Sequence, residues 1–120
     1  MHAKKTGALF LASAELGAMC GTGYTDSCEE PLRNYVRQIG FGFQVVDDIL
    51  DSSSSTETLG KTAAKDIRDN KPTYVTLFGL DRAKEMASEI EENTRNTLCL
   101  LPRKGGYLGD IAELVFDRVY

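Results

Sequence analysis

Residues 44–51 read QVVDDILD, and this stretch decides the fold because it sets three aspartates among aliphatic residues at helical spacing. Each residue of a helix turns by about 100°, so Gln44, Asp47, Asp48 and Asp51 fall within an arc of about 100°. We call the three aspartates the acidic stripe. The rest of the helix surface is apolar, with Ile39, Phe43, Val46 and Leu50 opposite and Phe41, Val45 and Ile49 between. The helix is apolar nearly all round except along the acidic stripe, which is too apolar a pattern for a surface helix.

The acidic stripe is unfavourable without a counter-charge. Carboxylates on adjacent turns repel each other by about a few tenths of a kcal/mol per exposed pair, and by more when buried. Near the carboxyl end of the helix they also face the negative end of its dipole. Carboxylate oxygens suit Mg²⁺, which keeps several waters and is completed by substrate phosphates. The alternative is a solvated acidic face at a helix end, but the apolar surroundings favour a metal site.

Three lysines in separate segments are candidate ligands for phosphate oxygens. Lys5, Lys61 and Lys71 each lie beside a glycine or a predicted helix end, and Thr6 adds a hydroxyl. A lysine ammonium is a compact donor for phosphate. A single lysine is ordinarily a solvated surface charge, so only its combination with the acidic stripe favours a diphosphate site.

The remaining pattern is helical almost throughout, without persistent strand alternation, and predicts an all-α chain of about five helices. The first helix spans about 3–20, with Leu9, Ala12, Leu16 and Met19 at helical spacing. The second runs from about Cys28 to Asp51 and is ended by the serines at 52–55, which compete for backbone hydrogen bonds.

The second half of the chain predicts three further helices. Residues 56–70 are interpreted as a loop with a short helical turn near 62–66, and a third helix begins near Pro72. Asp81 caps a fourth. Its predicted buried residues are Ala83, Met86, Ile90 and Leu98. After a turn at 101–106, the last helix carries Leu108, Ile111, Ala112, Val115 and Val119 on one face.

Composition excludes several classes of protein. The chain has 120 residues, a net charge of −4, 42% hydrophobic and 27% charged residues, so it is one globular domain or part of one. The acidic balance and the lack of a basic stripe argue against a nucleic-acid partner. No apolar run approaches the roughly 20 residues of a membrane span. Three cysteines without metal-ligand spacing indicate reduced thiols, and no secretory signal is expected.

Four strings of residues together resemble the trans-prenyltransferases, the family of farnesyl, geranylgeranyl and longer polyprenyl diphosphate synthases. They are HAKKTGAL at 2–9, FQVVDDILD at 43–51, LGKTA at 59–63 followed by Lys65-Asp66, and NKPTY at 70–74. Each string alone is moderately specific, whereas all four in order and at family-like spacing are highly specific. The resemblance implies the all-α helical bundle of isoprenoid synthases.

The resemblance also implies a reaction and roles for residues. The acidic stripe looks like the second aspartate-rich motif, which holds Mg²⁺ against an allylic diphosphate. Lys5, Lys61 and Lys71 match lysines that contact this diphosphate, and Thr6 and Gln44 match residues lining the allylic site. The family joins isopentenyl diphosphate to the allylic diphosphate, with Mg²⁺ and lysines stabilising the leaving group. Short-chain products, geranyl to geranylgeranyl, are favoured.

Departures from the family concern length and missing motifs. Family members are over twice as long, with a first aspartate-rich motif and the basic residues for isopentenyl diphosphate upstream of the lysine-threonine string. Residues 1–120 are therefore expected to be a single all-α segment, the C-terminal half of the synthase domain, with weak or no turnover alone. Ala64 and Val75 stand where glycine and proline are usual. Arg118 is interpreted as a surface arginine, with closure of the site as the alternative.

Two other functions stay open at this point. A non-catalytic subunit or fragment would associate with a fuller synthase, because the missing half would leave apolar surface exposed. A terpene cyclase also uses an aspartate-rich motif, but the lysine strings favour a synthase. A homodimer or heterodimer is expected, in the bacterial cytosol or in a plastid and not as a secreted protein.

Overall fold

The computed structural model describes residues 2–58 and 72–119, and side chains within 4–54 and 72–119. Its elements are helical, with no strand in these ranges, which confirms the all-α prediction. In chain order they are α1 (His2–Cys20), α2 (Asp26–Thr58), α3 (Tyr74–Phe78), α4 (Leu80–Leu98), a 3₁₀ turn (Pro102–Gly105), α5 (Tyr107–Phe116) and a terminal 3₁₀ turn (Asp117–Val119).

Helix α2 is the centre of the bundle. It packs against α1, α3, α4, α5 and the terminal 3₁₀ turn. Val45 and Val46 are completely buried and Ile49 is 2% exposed, so these aliphatic neighbours of the aspartates form the middle of the core. The burial expected for an apolar helix is found at Ile39, Val45, Val46 and Ile49, whereas Phe43 and Leu50 are half-buried and Phe41 is 40% exposed.

Helix α2 is longer at both ends than the sequence predicted. The helix starts at Asp26 rather than Cys28, and it continues through the serines at 52–55. The predicted break there is wrong because Ser53 Oγ donates to the Ile49 carbonyl at 2.9 Å and Ser54 Oγ donates to the Leu50 carbonyl at 2.9 Å. These serine hydroxyls bond within the helix, to carbonyls four residues earlier, instead of competing with its backbone bonds.

Helix α1 lies where it was predicted, but the apolar residues at helical spacing that predicted its buried face do not face the core. Leu9, Leu16 and Met19 are 66%, 63% and 74% exposed. The residues packed against the core are Phe10, Leu11, Ala14 and Ala18. A Cβ atom on Gly40 of α2 would come 3.8 Å from the Gly7 Cα, so small residues let the two helices approach closely.

Helices α3 and α4 begin slightly away from their predicted starts. The first residue of α3 is Tyr74 rather than Pro72, and Thr73 caps the helix: Thr76 N–H donates to Thr73 Oγ1 and Thr73 N–H donates to Thr76 Oγ1, a capping box. Gly79 precedes α4, and Asp81 lies in its first turn rather than at the cap. Of the residues predicted to be buried on α4, Ala83, Ile90 and Leu98 are buried, and Met86 is half-buried. The predicted turn at 62–66 lies outside the described residues.

The last helix, α5, is rotated relative to its predicted face. Ala112 and Val115 are buried as expected and Leu108 and Val119 are half-buried, but Ile111 is 44% exposed. Phe116, which the prediction missed, is 1% exposed and lies against α2. Among the helices of residues 2–58 and 72–119, none combines the length and apolar character needed to cross a membrane.

Candidate functional site

Asp47 is the first carboxylate of the acidic stripe and is paired with the end of the chain. Its Oδ1 lies 3.1 Å from Nη2 of Arg118, and the side chains of Asp47 and Arg118 are 41% and 43% exposed. The Arg118 guanidinium carbon also lies 5.5 Å from the centre of the Phe43 ring, one turn earlier on α2. Arg118 is thus not a free surface charge, because an ion pair and a cation–π contact hold it.

Asp48 holds the start of α3. Its Oδ2 accepts the backbone N–H of Tyr74 at 2.8 Å, the first residue of that helix. The Tyr74 ring meets Phe41 edge to face, with centroids 5.4 Å apart. Burial, and after it the charge of Asp48, raises the pKa of the Tyr74 phenol above its ordinary value. The described part of the chain resumes at Pro72, and the helix that follows, α3, therefore starts beside the acidic stripe.

Asp51 completes the acidic stripe and is exposed. The carboxylate donors suit a hard cation, but within the described parts of the chain no group of three or more His, Cys, Asp or Glu residues is placed to hold a metal ion by itself. Mg²⁺ is usually bound by one or two carboxylates together with substrate phosphates and water. The acidic stripe fits such a shared site, in which part of the coordination comes from a ligand, and does not form a closed protein cage.

Gln44 lies one turn before Asp47 and Asp48 on the same face of α2. It lines a groove of about 330 Å³ between α1 and α2. Apolar and small side chains form most of its walls, and Lys4, Arg37 and Gln44 are its polar side chains. The full lining is Lys4, Gly7, Ala8, Leu11, Val36, Arg37, Gly40, Phe41 and Gln44. A groove of this volume with mostly apolar walls suits an apolar group beside a polar one.

The predicted phosphate ligands are only partly described. Lys5 is exposed and Thr6 is half-buried on the first turns of α1, and neither is among the residues lining the groove. Their neighbour Lys4, which the sequence prediction did not select, lines it instead. Lys61 and Lys71 lie outside the described residues, as do Ala64 and Lys65-Asp66.

Two contacts of the acidic stripe were missed from the sequence. The hydrogen bond from the Tyr74 N–H to Asp48 cannot be predicted from residue types, because any residue except proline at that position supplies a backbone donor. Arg118 was interpreted as a surface arginine, with closure of the site as the alternative, and its contact with Asp47 was not predicted. Its position two residues after the apolar Phe116 is the one local sign that it would be held near α2.

Comparison with known proteins identifies the family. A family model described as polyprenyl synthetase matches residues 1–99. The chain belongs to the polyprenyl synthetase family. The resemblance drawn from the four strings is therefore confirmed, and the matched region ends just after α4, before the segment that carries Arg118.

Several plant relatives of this polyprenyl synthetase family match at close to half identity. The chain is 49% identical over 119 residues to geranylgeranyl pyrophosphate synthase 3, chloroplastic, of Arabidopsis thaliana, covering 98% of this chain and 33% of that protein. It is 49% identical over 98 residues to geranylgeranyl pyrophosphate synthase, chloroplastic, of Capsicum annuum, covering 82% and 26%. It is 47% identical over 98 residues to the large subunit 1 of an Arabidopsis heterodimeric geranylgeranyl pyrophosphate synthase, chloroplastic, covering 82% and 26%. The chain thus spans about a third or less of the length of these relatives.

Proposed function

We propose that this chain is part of a prenyl diphosphate synthase, a transferase that joins isopentenyl diphosphate to an allylic diphosphate. The observation that carries the proposal is the acidic stripe at the edge of the core, with Asp48 bonded to the segment that directly follows Lys71 in the sequence. Family membership and relatives named geranylgeranyl pyrophosphate synthases support a short-chain product. Their chloroplastic names favour a plastid as its compartment.

The acidic stripe would hold Mg²⁺ together with the diphosphate. Asp47 and Asp48 would supply carboxylate oxygens from the half-buried part of the stripe, and Asp51 would add negative charge at its exposed end. When bound, Mg²⁺ would neutralise charge on the leaving diphosphate. The lysines at 5, 61 and 71 would donate to the diphosphate oxygens and so stabilise the same charge.

The groove between α1 and α2 would take the hydrocarbon part of the allylic substrate. Leu11, Val36 and Phe41 provide apolar walls, and Gln44, which shares a face of α2 with the acidic stripe, adds an amide to the lining. Gln44 and Thr6 would orient the allylic end of the substrate. Water would be excluded from the apolar part, which favours the developing allylic cation over side reactions.

The segment would act as part of a larger assembly. Its exposed apolar residues Leu9, Leu16 and Met19 on α1 would pack against further parts of the synthase domain, of which residues 1–120 are the C-terminal portion. A homodimer or heterodimer of synthase chains is the proposed quaternary state, and one relative is named as a subunit of a heterodimer. Turnover by residues 1–120 alone is expected to be weak or absent.

Calorimetric titration of the purified chain with geranyl diphosphate tests the proposal. We expect binding that requires Mg²⁺ and is lost in Asp47→Ala. The matched control is Glu92→Ala, which removes an exposed carboxylate from α4, away from the acidic stripe.

The outcomes of the titration are distinct. Equal losses in Asp47→Ala and Glu92→Ala would contradict the assignment of the acidic stripe. A folded wild-type chain that binds no geranyl diphosphate, with or without Mg²⁺, would contradict a diphosphate site in this segment.

A further inference from the structure

Arg118 contacts two neighbouring turns of α2, one at Asp47 of the acidic stripe and one at the ring of Phe43. Its guanidinium pairs with Asp47 at 3.1 Å and lies 5.5 Å from the Phe43 ring centre. The buried ring of Phe116, two residues earlier, anchors the segment to α2. The terminal 3₁₀ turn, Asp117–Val119, also packs against α2. The position of Arg118 therefore follows from tertiary packing and not from a chance surface contact.

The Arg118 guanidinium is a cation that is already paired with the Asp47 carboxylate. Asp48 accepts the Tyr74 N–H through Oδ2, and among the described residues it forms no ion pair with Arg118. Asp51 is exposed, one turn further along α2. A divalent cation entering the acidic stripe would thus meet Asp47 with its charge partly neutralised by Arg118.

We propose that Arg118 is an internal counter-ion of Asp47, which a divalent cation displaces when it binds the acidic stripe. The inference rests on the proposed function, in which Asp47 is a metal ligand. Because coupling between two binding events is reciprocal, Arg118 weakens cation binding by the same factor by which the cation weakens the Arg118–Asp47 contact. Displacement would remove the Arg118 contacts that help to hold the Asp117–Val119 turn against α2, so cation binding at the stripe would loosen this turn.

Binding of Mn²⁺ alone, followed by electron paramagnetic resonance of the free ion, tests the competition without any turnover. We expect Arg118→Gln to bind Mn²⁺ about 2- to 5-fold more tightly than the wild-type chain, since it removes a competing cation from a half-exposed ion pair. Arg103→Gln is the matched control, because it removes an exposed positive charge from the Pro102–Gly105 turn. It should change Mn²⁺ affinity by less than about 1.5-fold. Arg118→Lys keeps the charge but loses the planar guanidinium over Phe43, so its Mn²⁺ affinity should lie between those of wild type and Arg118→Gln.

Hydrogen exchange of residues 117–119 gives an independent readout. In the wild-type chain Mn²⁺ should speed amide exchange there, and in Arg118→Gln the exchange should be fast already and insensitive to Mn²⁺. If Arg118→Gln and Arg103→Gln bind Mn²⁺ equally and exchange is unchanged by the ion, the counter-ion role is wrong.

Asp47→Asn separates failure of this inference from failure of the proposed function. If Asp47→Asn weakens Mn²⁺ binding while Arg118→Gln has no effect, only the role of Arg118 is lost. If Asp47→Asn leaves Mn²⁺ affinity unchanged in both the wild-type and the Arg118→Gln background, Asp47 is not a metal ligand and the proposed metal site falls with it.

Discussion

A Cβ atom added to Gly42 would lie 2.5 Å from the ring of Phe116, so α2 and α5 meet where there is no room for a side chain. The same atom would come 3.4 Å from Cγ2 of Ile90 on α4. Phe116 is almost completely buried in this position, two residues before Arg118. The glycine therefore sets how closely the end of the chain approaches the helix that carries the acidic stripe.

Gly42→Ala should destabilise the fold by about 1–3 kcal/mol, because the Phe116 ring must move out of a packed position. The free energy of unfolding from urea denaturation measures this. Gly17→Ala is the control, since a Cβ atom at Gly17 of α1 would meet nothing within 4 Å. There the better helix propensity of alanine should leave stability unchanged or raise it by up to about 1 kcal/mol. Equal effects of the two changes would contradict the predicted clash.

Tyr35→Phe should cost about 1 kcal/mol of stability. The Tyr35 side chain is buried, and its hydroxyl donates to the Leu108 carbonyl at 2.8 Å, joining α2 to α5. Phenylalanine keeps the packing but leaves that carbonyl without its donor. Thermal and urea unfolding of the two proteins at pH 7 give the difference. An unchanged free energy of unfolding would show that the hydrogen bond adds nothing to stability.

Stability should fall between pH 10 and pH 12 because of the same tyrosine. Burial raises the pKa of Tyr35 from 10.0 to about 12. The folded chain then holds a proton that the unfolded chain has released, so stability decreases as pH rises through this window, by at most about 2–3 kcal/mol. Unfolding measured from pH 9 to pH 12 should show a steeper decline in wild type than in Tyr35→Phe. Parallel pH profiles would exclude Tyr35 as the cause.

Asp48→Ala should loosen the start of α3, because it removes the carboxylate that accepts the Tyr74 N–H. A lost hydrogen bond to a charged group typically costs about 1.5–3 kcal/mol. Hydrogen exchange of the Tyr74 amide should therefore speed up by one to two orders of magnitude.

Asp51→Ala is the control for this change, since Asp51 is exposed and accepts no such bond among the described residues. It should leave exchange at Tyr74 unchanged. Unaltered protection of Tyr74 in Asp48→Ala would show that the capping box of Thr73 and Thr76 holds α3 by itself.

The strongest sequence prediction concerned α2, and its success has a local cause. Buried aliphatic residues at helical spacing leave few arrangements open, so Val45, Val46 and Ile49 were placed correctly without knowledge of their partners. The serines after Asp51 show the limit of local rules. Their hydroxyls can compete with the helix or bond within it, and here Ser53 and Ser54 do the latter.

Helix faces were harder to predict where apolar residues lie on more than one side. On α1 the leucine spacing is regular, yet Leu11 and Ala14 pack while Leu9 and Leu16 are exposed. The choice depends on how closely α1 approaches Gly40 of α2, which is a property of the pair of helices and not of either sequence segment. The same holds for Phe116, whose burial depends on the space at Gly42.

The sequence by itself determined that the chain is helical, that three carboxylates share one face of α2, and which family it belongs to, because helical spacing and short motifs are local properties. Only the tertiary structure decided what each carboxylate meets. Asp47 meets Arg118, 71 positions away in the chain, and Asp48 meets a backbone N–H 26 positions away. Such contacts depend on the packing of whole helices against α2, which the residue types near the aspartates do not indicate.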